Sequence, residues 1–474
     1  LQPEQPQPDD PRLGPYWRAL GACLIVLAVY VAAILALGTE TAKRSTAPPW
    51  YAWVRYPPTR TRPQAIFLVL PAIVYGGWML LVRRMVVRKI ADAIVLPAAF
   101  AAVLAMNATT AMMDGGPDAI WKAFDAFLRG GADFWGDVPT VRATGVSPFL
   151  RSYVQHLYHY SVHTRTHPPG PVLTLYFVGC VLGPGVKAAS WSAVVITATA
   201  VVPFFLLLRR LAGRQIATVA LALYVVAPSL VLYGATSMDG VTLVPLLWTM
   251  YFLQRGIDKP GIGIGLLAGA SIAVSLMMSY VVVCVGALAA LYAAQEVVAN
   301  RGKLWSVVGC LTIAILVTVG AFVMLDALTG FDLVKSFEAS RFFDHDIMRT
   351  FKMSFPRYID ISLSNLMAFL IGIGFPVVIL WGKQTARSVK FRRDWTAADR
   401  FNAAGAVCVL VMSFAKLFTH ETERIWLFFM PPALLGAASW IVRAGGKSVR
   451  LREWAMGLMF AQTWLFQLLL FTLW

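Results

Sequence analysis

The chain has 474 residues, 58% of them hydrophobic and only 14% charged, with a mean hydropathy of +0.66. Soluble domains carry about 25% charged residues, so the composition excludes an ordinary soluble enzyme and indicates an all-α polytopic membrane protein. A formal charge of +17 would suit a nucleic-acid binder. The basic residues, however, fall in short loops between apolar runs, so no nucleic-acid partner is expected.

In chain order, the opening LQPEQPQPDDPRLGPYWR lacks the basic start and short apolar core of a signal peptide, and residues 1–18 read as a cytoplasmic tail. A lipid-crossing helix needs about 20 apolar residues. Runs of that kind predict about thirteen transmembrane helices, at 19–38, 65–82, 91–111, 188–208, 215–234, 240–254, 261–278, 279–297, 305–326, 361–382, 402–419, 424–442 and 453–473. Residues 19–90 hold two extra N-terminal helices, 91–442 form a transmembrane core, and 443–474 supply a cytoplasmic loop and the last helix. The Pro-rich stretch 46–63 reads as a surface loop. The five cysteines lie inside apolar runs without paired spacing, so they read as packing residues rather than a disulfide framework.

Orientation follows from the bias of Lys and Arg in short loops. With the N-terminus in the cytoplasm, seven inner segments carry 23 of the 41 Lys and Arg residues. This works only if the apolar stretch 169–184, broken by Pro and Gly, does not cross the membrane. Residues 115–187 are therefore expected to form one long extracytoplasmic loop of short helices lying along the membrane surface, with a second outer loop at 327–360.

The polar chemistry collects on that outer side. Asp114 closes a helix as NATTAMMDGG, Asp118 follows four residues on, and Asp239 closes another helix as GATSMDG. Acids at a membrane boundary are costly and disproportionately functional, although any outer loop must also be polar. The segment HLYHYSVHTRTHPPGP at 156–171 ends in Arg165, His167, Pro168 and Pro169. Proline fixes its own backbone angle and restricts its predecessor, which would hold His167 in one orientation. His156, His159 and His163 are spaced to share one helix face, so a zinc or copper site was weighed against an interfacial helix surface, and the surface reading is preferred.

The order of these features resembles the polytopic glycosyltransferases of the GT-C superfamily, in particular the protein O-mannosyltransferases and the lipid A aminoarabinose transferase. The resemblance runs over about 91–442 and rests on Asp114 and the His-Pro-Pro motif at 167–169. It continues through PFFLLLRRLAGRQ at 203–215, LYVVAPSLVLYGATSMDG at 223–240 and ERIWLFFMPPALL at 423–435. The family pattern differs in three places. A second acid usually adjoins the first, a lysine usually stands at the position of His167, and SLMMSYVV at 275–282 lacks a lysine often found there.

The resemblance implies transfer of a sugar from a polyprenyl-phosphate carrier to an acceptor at the outer face of a plasma membrane, of bacterial type. It assigns Asp114 or Asp118 as the base and Asp239 as the residue that orients the acceptor or steadies developing positive charge. His167, Arg165, Arg341, Arg424 and Lys416 become candidates for the donor phosphate, and Pro168 and Pro169 shape the motif. No cofactor is required by these residues, with a divalent cation (Mg²⁺ or Mn²⁺) on Asp239 and Glu421 left as an alternative. With no soluble domain in the sequence, the expected acceptor is a lipid or glycan rather than a protein, and membrane lipids are partners throughout. The competing readings are a transporter or lipid flippase, and a catalytically silent scaffold of the same fold. One-sided polarity and the lack of an internal repeat argue against a transporter.

Overall fold

The computed structural model describes residues 21–29, 65–87, 90–125, 134–350, 354–415, 422–445 and 448–469, with single positions at 18, 32 and 417. Every regular element among the described residues is helical. This is the expected answer to a solvent that offers no partner for a backbone N–H or C=O.

The first half contains α1 (Ala65–Val87), α2 (Asp92–Met112), α3 (Asp118–Lys122), α4 (Val138–Thr144), α5 (Val146–Arg151), α6 (Val162–Arg165), α7 (Gly170–Leu182), α8 (Val186–Thr199), α9 (Val201–Tyr224) and α10 (Pro228–Tyr233). There follow α11 (Asp239–Asp258), α12 (Ile262–Met278), α13 (Val282–Ala299), α14 (Leu304–Thr329), α15 (Leu333–Thr350), α16 (Phe355–Ile373) and α17 (Phe375–Lys390). The rest is α18 (Ala397–Phe414), α19 (Thr422–Ile425), α20 (Met430–Arg443) and α21 (Ser448–Leu469).

By length and composition, seven described helices can cross a membrane, or up to eight if one bent pair counts as a span. These helices do not amount to the thirteen expected crossings. Half of the expected span 19–38 lies outside the described residues. The run 261–278 becomes α12, apolar but only 17 residues long. The run 215–234 is split, because α9 ends at Tyr224 and Pro228 starts the short α10 in a new direction. The run 361–382 is also not one straight helix. α16 and α17 meet at Gly374 with a bend of 105°, and Gly374 has φ 98°, a backbone angle that suits glycine. The stretch 169–184 is α7, whose 13 residues extend about 20 Å, well short of a 30 Å hydrocarbon layer.

Two apolar cores organise these helices. The larger joins α1, α2, α9, α11, α17, α18, α20 and α21 around Phe204, Phe205, Tyr224, Trp426 and Phe429. The smaller lies within the long loop, where Phe134, Phe149, Tyr153 and Tyr160 pack on Met238, Met278 and Phe331. The loop is therefore a folded cap with its own interior, seated on the ends of α11, α12 and α14.

The far ends of the same helices are tied by ions. Arg214 meets Asp92 at 2.8 Å, Arg210 meets Asp258 at 3.1 Å, and Glu296 takes both Lys303 at 2.7 Å and Arg400 at 2.6 Å. Nearby, Thr396 and Asp399 form a reciprocal capping box that starts α18. Asp239 and Asp258 bound the 20-residue α11, so the ion-tied end and the Asp239 end stand about 29 Å apart, close to one hydrocarbon thickness.

Candidate active site

Asp239 begins α11, directly after a turn that buries Thr236 and Ser237. Ser237 Oγ donates to Asp239 Oδ2 at 3.0 Å, and the Asp239 backbone N–H donates back to Ser237 Oγ at 3.2 Å. A serine two residues before an acid closes this kind of local turn. Arg424 Nη1 donates to the same Oδ2, forming an ion pair across 185 residues. Arg424 is 7% exposed, so this is an ion pair largely withdrawn from water, where loss of one partner is severe.

His167 lines the same cleft as Asp239, together with the hydroxyls of Thr242 and Ser279. Apolar side chains, among them Leu243, Leu246, Val281 and Phe428, complete the lining. The His167 ring is fixed from behind. Its Nδ1 lies 2.9 Å from the His163 carbonyl, and Phe134 meets the ring edge-on at 5.4 Å. A carbonyl only accepts, so Nδ1 carries the hydrogen and proton exchange with a ligand falls to Nε2.

Tyr153 secures the backbone of this motif. Its hydroxyl sits 2.9 Å from the Thr164 carbonyl and 2.8 Å from the His167 carbonyl, as donor to both. Burial in the loop core raises the Tyr153 pKa well above that of an ordinary phenol, so it stays a donor at working pH. Behind Pro168 and Pro169, both buried, Gly170 starts α7 against the end of α12. A Cβ at Gly170 would stand 2.1 Å from the Met277 carbonyl oxygen. The glycine is what lets the two backbones touch.

The remaining expected residues are placed differently. Asp114 follows the end of α2, half-buried, and accepts a hydrogen bond from Gln467 Nε2 at 2.9 Å. It is not among the residues lining the cleft. Asp118 is exposed at the start of the five-residue α3. Arg165 points back into the loop, donating from Nε to the Tyr160 carbonyl at 2.6 Å and lying over the Phe343 ring at 6.0 Å. Arg341 is exposed on α15. Lys416 and Glu421 lie outside the described residues.

The histidine string does not form one helix face. A short turn ends at His159, and a new helix starts after Ser161, which caps α6 and donates its N–H to Asp137 Oδ2 at 3.0 Å. Among the described residues, no three His, Cys, Asp or Glu side chains gather as a metal site. Arg424 and Ser237 both engage Asp239 through Oδ2.

Residues 166–324 match the family described as dolichyl-phosphate-mannose-protein mannosyltransferase, a GT-C glycosyltransferase family. Over this stretch the chain is similar to that mannosyltransferase family. No curated relative matches the chain at a significant level. The match points to a membrane glycosyltransferase that uses a lipid-linked sugar donor. The mannosyltransferase-family segment contains His167, Pro168, Pro169 and Asp239 and ends before Arg341, while Asp114 and Arg424 lie outside it.

Several residues around this cleft escaped the reading of the sequence. Ser237 and Thr242 were visible as hydroxyls flanking Asp239, but serine and threonine are common at helix ends. Tyr153 is one of several aromatics in the long loop and belongs to no motif of its own. Gln467 carried a usable signal, since an amide inside the apolar run 453–473 is costly in lipid and calls for a partner.

Proposed function

We propose that this enzyme moves a sugar from a polyprenyl-phosphate carrier to a lipid or glycan acceptor at the extracytoplasmic face. The reading includes a cytoplasmic N-terminus and about thirteen crossings. The observation that carries it is a cleft lined both by polar groups, His167, Asp239 and Ser279, and by apolar ones, Leu243, Leu246 and Phe428. Such a cleft suits a ligand with a phosphate head and an isoprenoid tail.

In this scheme the acceptor O–H loses its proton to the Asp114 carboxylate as its oxygen attacks the anomeric carbon. The bond from that carbon to the carrier's phosphate oxygen breaks, and the phosphate leaves with the electron pair. His167 Nε2, as imidazolium, donates a hydrogen bond where that negative charge grows. Asp239 is neutralised by Arg424 and so is a weaker proton acceptor. It orients the sugar or acceptor instead. Exposed Asp118 is the second choice for the base. Arg165 and Arg341 reach the phosphate only if the loops close around a bound donor, and Lys416 belongs to the same set.

The test supplies purified protein in lipid with a polyprenyl-phosphate sugar and follows sugar release or transfer. Wild-type turnover abolished in Asp114→Asn, with expression retained, is expected. Full activity in that variant moves the base to Asp118. Carrier movement across the bilayer without sugar transfer would replace the enzyme with a flippase. Cysteine labelling of 209–214 from outside would overturn the orientation.

A further inference from the structure

Gln467 lies on α21, outside the family-matched segment and outside the core expected from the sequence, yet it reaches Asp114 across 353 residues. Its side chain is 1% exposed. Two further buried polar residues on the same helix behave alike. Gln462 Nε2 donates to the Ile371 carbonyl at 2.7 Å, while its Oε1 accepts from the Phe375 N–H at 3.0 Å, bridging the bend between α16 and α17. Thr463 Oγ1 lies 3.4 Å from the Val226 carbonyl, at the break between α9 and α10. These backbone groups sit where a helix stops bonding to itself and needs outside partners.

Gln467 differs from its neighbours in one respect: its Nε2 donates to a carboxylate. An apolar side chain would fill the same space without the cost of burying an amide. The amide hydrogen bond holds the carboxylate through Oδ2, just past the end of α2. The amide is also neutral, so it orients the group without pairing it to a cation.

We infer that Gln467 is a positioning residue for Asp114, holding the carboxylate in the rotamer from which it takes the acceptor's proton. The inference rests on the assignment of Asp114 as base. It is tested with the full chain in lipid nanodiscs and a polyprenyl-phosphate sugar, measuring Gln467→Leu, Gln467→Glu and Asp114→Asn in parallel.

Gln467→Leu should keep its melting temperature and donor KM while kcat falls about 10- to 100-fold, the range for a misplaced reacting group. Gln467→Glu keeps the shape but sets a second carboxyl beside Asp114, so the acid limb of the pH–rate profile should move to higher pH. Wild-type kcat in Gln467→Leu, with Asp114→Asn inactive, overturns the inference and leaves the base assignment standing. An unshifted pH profile in folded Gln467→Glu does the same. If Gln467→Leu does not fold, the Gln467→Glu profile decides. Full activity in Asp114→Asn removes both assignments together.

Discussion

Replacing Gly170 by alanine adds one methyl group where α7 touches α12. The new Cβ would lie 2.1 Å from the Met277 carbonyl oxygen, 2.6 Å from its carbon and 3.1 Å from the Met278 nitrogen. All three are backbone atoms, so no side chain can swing away. Opening the nearest contact to an ordinary 3.4 Å needs a shift of about 1.3 Å. Overpacking of this kind costs about 1–3 kcal/mol. The shift cannot stay local, because Pro168 and Pro169 couple Gly170 stiffly to His167. Displacing a reacting group by about 1 Å can cost 100-fold in rate. Gly170→Ala should therefore lose most transferase activity while still folding, with a modest fall in melting temperature in detergent. Gly185→Ala is the control, since nothing lies within 4 Å of a Cβ there. Wild-type turnover in Gly170→Ala would mean that the His-Pro-Pro geometry does not govern the reaction.

Arg424→Ala should destabilise the fold by about 3 kcal/mol, because it leaves Asp239 in a poorly hydrated position without its cation, and should abolish transfer. A scanning melt of the purified variant checks the first part, and an unchanged melt would show the pair to be solvated. Tyr153→Phe removes the hydroxyl between the Thr164 and His167 carbonyls and should cost about 1–2 kcal/mol. Donor KM should rise several-fold, read from initial rates across donor concentrations. No change in either would mean that the loop core alone holds His167.

Asp239, His167 and Arg424 were legible because charge and imidazole stand out at the ends of apolar runs. Their convergence was not, since Asp239 and Arg424 are 185 residues apart and nothing in local spacing pairs them. Arg165 illustrates the reverse. Its position beside His167 suggested a phosphate contact, but the restart of the helix after Ser161 turns it toward the Tyr160 carbonyl. That restart depends on Asp137, 24 residues upstream, a contact hidden from periodicity. Helix boundaries match the apolar runs within a few residues for α12, α13 and α14, although α12 is too short to count as a crossing. They failed at Gly374 and Pro228, where one residue redirects a run that looks continuous by hydropathy.

The row of Gln462, Thr463 and Gln467 also bears on how the enzyme is made. α21 leaves the ribosome after every segment it ties together: α2, the α9–α10 break and the α16–α17 bend. Until it inserts, the carbonyl of Val226 and the N–H of Phe375 lack their α21 partners, while the Ile371 carbonyl still holds the N–H of Gly374. Insertion of the earlier helices therefore yields a bundle whose bends lack these ties, and, on the proposed assignment, Asp114 is aimed only when α21 arrives.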